Sequence, residues 1–164
     1  MIGLLVLTAC GWLALTVFAP LLPVPLAGVA YLAGSLVCHQ LPERSFHLGA
    51  SQLPVCARCL GIYGGLGVIM VFWVLGSRVP GSAVQGSTVP GSRAVLIAGA
   101  IPTAATLAFE WLGMWEPSNV ARVLAGVPLG AVVAFVVVGA VAKLHYEPCA
   151  PQRPIAPRRP PTPI

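Results

Sequence analysis

Residues 38–65 read C-H-Q-L-P-E-R-S-F-H-L-G-A-S-Q-L-P-V-C-A-R-C-L-G-I-Y-G-G, and the fold turns on how this stretch is read. It holds three of the chain's five cysteines and two of its three histidines, together with Glu43, Arg44 and Arg58. Up to Arg58 it is polar. From Leu60 to about Gly76 it becomes an uncharged apolar run, and at about 1.5 Å of rise per helical residue such a run approaches the width of a bilayer core. The stretch therefore reads as a polar segment, 38–59, gathered at the mouth of a membrane span.

Composition points the same way. The 164 residues are 57% hydrophobic and 8% charged, with mean hydropathy +0.90, whereas a soluble domain carries roughly 25% charged residues. A water-facing surface cannot be built from this sequence, so its main partner is the lipid bilayer. The expectation is an all-α, polytopic integral membrane bundle in one domain over residues 1–146, with spans at about 2–19, 60–76, 94–113 and 120–142. No Lys or Arg precedes the first run, which reads as a retained span and not as a signal peptide. Residues 26–37 are apolar but short for a span, and read as an interfacial or re-entrant half-helix feeding Cys38. Pro20 is expected to end the first span, and Pro23 and Pro25 to keep the next residues out of a helix. Ser77–Arg93, with V-P-G-S occurring twice, reads as a flexible loop, and 147–164 as a disordered Pro/Arg-rich tail.

Small residues recur where helices would meet. Gly61 and Gly65, then Gly126 and Gly130, have the G-x-x-x-G spacing that lets another helix approach closely in lipid, so these faces are candidates for a second copy or a membrane partner. Trp111 and Trp115 suit a membrane–water boundary, and Ser118 or Asn119 suits the N-cap of the last span. Four spans put Arg78, Arg93, Lys143, Arg153, Arg158 and Arg159 on one side, and Arg44, Arg58 and Arg122 on the other. The positive-inside rule then gives a multi-pass protein of the cell membrane with its C-terminal tail in the cytoplasm and the cysteine segment outside. The net charge of +5 is scattered over loops and tail, without a basic helix or aromatic-interleaved patch, which argues against nucleic-acid binding.

The cysteines carry the candidate chemistry. Cys56-Ala57-Arg58-Cys59 has the C-x-x-C spacing that lets two thiolates from one turn reach a single ion. Cys38 is a third candidate sulfur ligand, with His39 or His47 completing the set; zinc, Cu(I) or an iron–sulfur centre would suit these donors. The same pair supports a second reading, thiol–disulfide exchange through Cys56 and Cys59, with Arg58 and a helix start favouring the thiolate of Cys59. A third is a structural disulfide in a transport or assembly component. Cys10, in an apolar run, and Cys149, in the tail, read as inert. Arg58 and Arg122 both stand at the N-terminal ends of spans, where the helix dipole disfavours a cation. They are expected to pair with Glu110, Glu116 or Glu43, and Arg58, Glu110, Asn119 and Arg122 are candidates for a polar shell around a cofactor. Glu110 is the sharpest of these, because ionisable groups within spans usually face the bundle interior.

Familiar catalytic motifs are missing: no Gly-rich phosphate loop, no H-E-x-x-H, no G-x-S-x-G, and no aspartate anywhere. No catalytic residue is assigned. If the chain is an enzyme, thiol–disulfide redox is its chemistry.

The motifs also carry a resemblance. C-H-Q-x-P-E-R-S-F at Cys38–Phe46, P-V-C-A-R-C-x-G-I-Y-x-G at Pro54–Gly65, and S-N-x-x-R-x-x-x-G-x-x-x-G at Ser118–Gly130 resemble the signature of the domain of unknown function 2085 family of small bacterial and archaeal membrane proteins. The resemblance covers about residues 20–140 and implies a small polytopic membrane protein. It brings no assigned activity with it.

Overall fold

The computed structural model describes residues 2–77 and 92–145. The expected flexible loop and Pro/Arg tail, with Cys149, fall almost entirely outside these residues. The chain runs α1 (Ile2–Phe18), a 3₁₀ turn (Ala19–Leu21), α2 (Val24–Ser35), a second 3₁₀ turn (Pro42–Arg44), β1 (Ser45–Leu48), β2 (Ser51–Cys56), α3 (Ala57–Ser77), α4 (Ser92–Trp111) and α5 (Asn119–His145). Four of the helices are long and apolar enough to cross a membrane: α1, α3, α4 and α5. The protein is a polytopic all-α membrane bundle with one small hairpin.

The bundle is built on α3 and α5, which form its most extensive contact. The two small-residue motifs face each other. A Cβ on Gly61 or Gly65 would run into the α5 carbonyls of Val123 or Val127, and one on Gly126 or Gly130 into the α3 carbonyls of Arg58 or Ile62. Hydrogen at all four positions is what lets the backbones touch. The faces expected to receive a second copy or a membrane partner therefore receive each other. The matching of 61 with 123 and 65 with 127 makes α3 and α5 parallel, both starting at the same end.

The other two helices flank this pair. α4 runs antiparallel to α5, with the Thr103 hydroxyl donating to the Ala125 carbonyl at 2.7 Å and Gly99 close to Pro128 and Val132. α1 runs antiparallel to α3: Trp12 meets Tyr63 edge-on, with ring centroids 6.0 Å apart, and Leu5, Val6 and Ala9 pack on the core of Met70, Ala134 and Val138. So α1 ends, α3 begins, α4 ends and α5 begins at one end of the bundle. Everything between Phe18 and Ala57 lies at that end, including α2.

Two local features differ from expectation. α2 begins at Val24, with Pro25 inside its first turn, although the prolines were expected to delay the helix. A first-turn proline forfeits no intrahelical hydrogen bond and its fixed φ suits a helix start. The polar segment also contains an unforeseen antiparallel hairpin, pairing His47 with Gln52 and Leu48 with Ser51. Its two-residue link, Gly49-Ala50, places Gly49 at φ +65°, a conformation glycine reaches without steric cost.

Candidate functional site

The polar segment is folded against the bundle end by its glutamines. Gln40 has φ +51°, a left-handed backbone that side-chain-bearing residues rarely adopt. Its carboxamide donates to the carbonyls of Tyr31 (2.8 Å) and Pro54 (2.7 Å), tying α2 to β2. Gln52 donates back to the Gln40 carbonyl at 2.8 Å, and the Tyr31 hydroxyl donates to the Gln52 carbonyl. A Cβ at Gly34 would strike the Pro54 carbonyl, so α2 and β2 meet at van der Waals distance there. This reversal carries Cys38, just past α2, back onto the start of α3.

There the three cysteines meet. The sulfurs of Cys38, Cys56 and Cys59 all lie within 4.8 Å of one another. Cys38 is buried, while Cys56 and Cys59 are half-buried. The Cys56 backbone N–H donates to the Cys38 sulfur at 3.1 Å. The helix start was expected to favour the Cys59 thiolate, but it is Cys56, which precedes α3, whose thiol is held well below the usual range, to about 5. The main cause is a hydrogen bond from Cys59, opposed by burial and helped by backbone N–H groups and Cys38. Two sulfurs on one tetrahedral ion with bonds of about 2.3 Å stand roughly 3.8 Å apart. The observed spacing is within a small side-chain adjustment of that. The donor set fits a thiophilic metal ion. His39 and His47 are exposed and stand outside this group, and Cys10 lies apart on α1.

A second cluster occupies the same bundle end. Because α3 begins at Ala57, Arg58 and Cys59 share its first turn and diverge, the thiol toward Cys38 and the guanidinium toward α4. Glu110, in the last turn of α4 with its side chain only 3% exposed, receives three arginines. Arg122 reaches it at 2.7 Å, Arg58 at 3.1 Å and Arg44 at 3.3 Å. Arg58 also approaches the Thr106 hydroxyl at 3.5 Å. Ser118 caps α5 through the Ala121 N–H, which frees Asn119 to accept from Arg122 (3.0 Å) and donate to the Ser45 carbonyl (3.1 Å). Glu110 thus answers both cations that stand against their helix dipoles. Arg58, Glu110, Asn119 and Arg122 are brought together; Glu43 and Glu116 make no ion pair among the described residues.

Sequence reading passed over Arg44, Gln40 and Tyr31. Arg44 counted only as a loop charge, and its reach to Glu110 depends on the 3₁₀ turn Pro42–Arg44 that aims it. The signal available for Gln40 and Arg44 was their place inside the motif C-H-Q-L-P-E-R-S-F.

The family model described as "Predicted membrane protein (DUF2085)" matches residues 38–136, from the first cysteine of the trio to the middle of α5. An uncharacterized protein of Methanocaldococcus jannaschii is 30% identical over 117 residues, 71% of each chain. An uncharacterized protein of Methanothermobacter thermautotrophicus is 33% identical over 94 residues, which is 57% of this chain and 78% of that one. No solved structure matches.

Proposed function

This chain belongs to the DUF2085 family of predicted membrane proteins, and we propose that it holds a thiophilic metal ion, or a cofactor containing one, on Cys38, Cys56 and Cys59 at the extracytoplasmic end of its bundle. The observation that carries this is the convergence of three sulfurs within 4.8 Å from three separate places: the end of α2, the end of β2 and the first turn of α3. A chain that needed only a disulfide staple has no use for a third sulfur at that spot. A tetrahedral ion needs a fourth donor, and from this chain His39 or His47 would have to swing in from the surface. A site that remains three-coordinate in sulfur suits Cu(I), while zinc would take the histidine or an outside ligand. The Glu110–arginine cluster, rooted on the same turn of α3, would hold that turn in place beneath the ion.

The test is elemental analysis of protein purified in mild detergent under reducing, chelator-free conditions, beside Cys56→Ser/Cys59→Ser and His39→Ala/His47→Ala variants. About one ion per chain is expected, lost in the cysteine variant; the histidine variant then reads whether a nitrogen takes part. A folded protein without metal would sink the reading.

The closeness of the Cys56 and Cys59 sulfurs, within 4.8 Å of each other, also supports a second reading, thiol–disulfide exchange. The depressed Cys56 thiol is the better nucleophile of a C-x-x-C pair, and oxidation with Cys59 would pass two electrons to an acceptor of quinone or disulfide type. A reversible Cys56–Cys59 midpoint potential in metal-free protein would favour it.

A further inference from the structure

We propose that the cleft over Glu110, between the turn that precedes β1 and the start of α5, binds a small zwitterionic phosphate ester, with the oxyanion on Arg44 and Arg122 and an ammonium at Glu43 and Glu116. The first argument is charge. Three guanidiniums converge on one carboxylate, and two of them, Arg58 and Arg122, have side chains only 14% and 9% exposed. Arg44 is 34% exposed. Even with Arg44 left to solvent, Arg58 and Arg122 outnumber Glu110 by one positive charge in the buried cluster, and the two carboxylates that balance the three arginines overall, Glu43 and Glu116, are exposed and make no ion pair among the described residues. The Nε–H groups of both Arg58 and Arg122 are buried and have no acceptor among the described residues.

The second argument is space. A cavity of about 370 Å³ is lined by Arg44, Arg122 and Glu110, with Asn119 beside them and Glu43 and Glu116 also on its wall. Glu43 and Glu116 are exposed, so the cavity has a cationic floor and an acidic rim. A bare phosphate would satisfy the floor and be repelled by the rim. A phosphate ester carrying a primary ammonium satisfies both, and planar guanidinium groups are well matched to phosphate oxygens. The third argument is position. Glu110 is in the last turn of one span and Arg122 in the first turn of the next, with Trp111 and Trp115 exposed nearby, which is the level of lipid headgroups. The ligand is thus a phosphoethanolamine group, either as a lipid headgroup or free in solution. This reading is independent of the thiol site.

The experiment is calorimetry on the full chain in a maltoside detergent, with short-chain phosphatidylethanolamine, short-chain phosphatidylglycerol, free phosphoethanolamine and inorganic phosphate as probes. Saturable binding of an ethanolamine probe is expected. Arg44→Gln should weaken it about tenfold, and Glu116→Gln should abolish the preference for ethanolamine over glycerol. Displacement of the lipid by free phosphoethanolamine supports a soluble source, and binding of the lipid alone supports the membrane. No saturable binding of either ethanolamine probe overturns the proposal. So does inorganic phosphate binding equally well with no effect of Glu116→Gln. Both substitutions are at partly or fully exposed positions; if Arg44→Gln fails to fold, Glu116→Gln carries the decision alone.

Discussion

Glu110 is the residue on which the polar end of the bundle depends. Among the described residues it is the one carboxylate that joins α3, α5 and the turn before β1, through Arg58, Arg122 and Arg44. Removing one partner of a buried ion pair leaves the other charge uncompensated, at a cost of about 3–5 kcal/mol. Glu110→Gln should therefore lower the unfolding free energy in mild detergent by roughly 3 kcal/mol or more. Arg44→Gln should cost about 1 kcal/mol or less, because its side chain is a third exposed and water takes its place. Equal effects of the two substitutions would mean that Glu110 is a surface anchor. This role was legible in the sequence, since a glutamate inside an apolar run and two arginines at span starts are each unfavourable alone and favourable together. The exposed positions of His39 and His47 were not legible. Proximity in sequence to a cysteine says nothing about which side of a β-strand or loop a ring takes.

At the scale of elements, the parallel α3–α5 pair is what places Arg58 and Arg122 side by side over α4. Gly130 marks its tightest approach, where an added Cβ would overlap the Ile62 carbonyl. Gly130→Ala should push the two helices apart and destabilise the bundle by about 1–3 kcal/mol, as overpacking does. Gly64→Ala makes the contrast: nothing lies within 4 Å of a Cβ there, so the substitution should be neutral or mildly stabilising. Unfolding of the two variants under identical detergent conditions checks both, and a destabilised Gly64→Ala would contradict the packing described. The spans and the small-residue spacing could be read directly, because hydrophobic length and glycine periodicity are local properties. That the two glycine faces meet within the chain could not, because spacing names a face and not its partner. The hairpin was missed for a different reason. Gly49-Ala50 is a fair two-residue turn signal, but Pro54 in the second strand lacks the N–H a ladder uses and argues against a strand. In a two-stranded ribbon both strands are edges, so the proline is tolerated, and its carbonyl instead receives Gln40.

At the scale of the molecule, the question is which compartment the thiols face. The geometry puts the cysteine trio, the Glu110 cluster and the hairpin at one end of the bundle, and the end of α5 at the other. The three arginines at the site end are all committed to Glu110, whereas Arg78, Arg93, Lys143, Arg153, Arg158 and Arg159 fall in sequence at or beyond the far ends of α3, α4 and α5. By the positive-inside rule, we propose that this asymmetry places the site end outside the cytoplasm. An epitope inserted between Gly49 and Ala50, at the exposed hairpin tip, should be stained by antibody on intact cells. A reporter fused at the C-terminus should respond as a cytoplasmic one. The result decides more than topology. In an oxidising compartment, Cys56 and Cys59 stay available as thiolates only if an ion protects them or a partner cycles them, so structural, redox and metal readings all remain distinct. If the epitope is reached only after permeabilisation, the trio faces the reducing side. A permanent disulfide is then disfavoured, and three convergent thiolates are most readily explained by a bound ion.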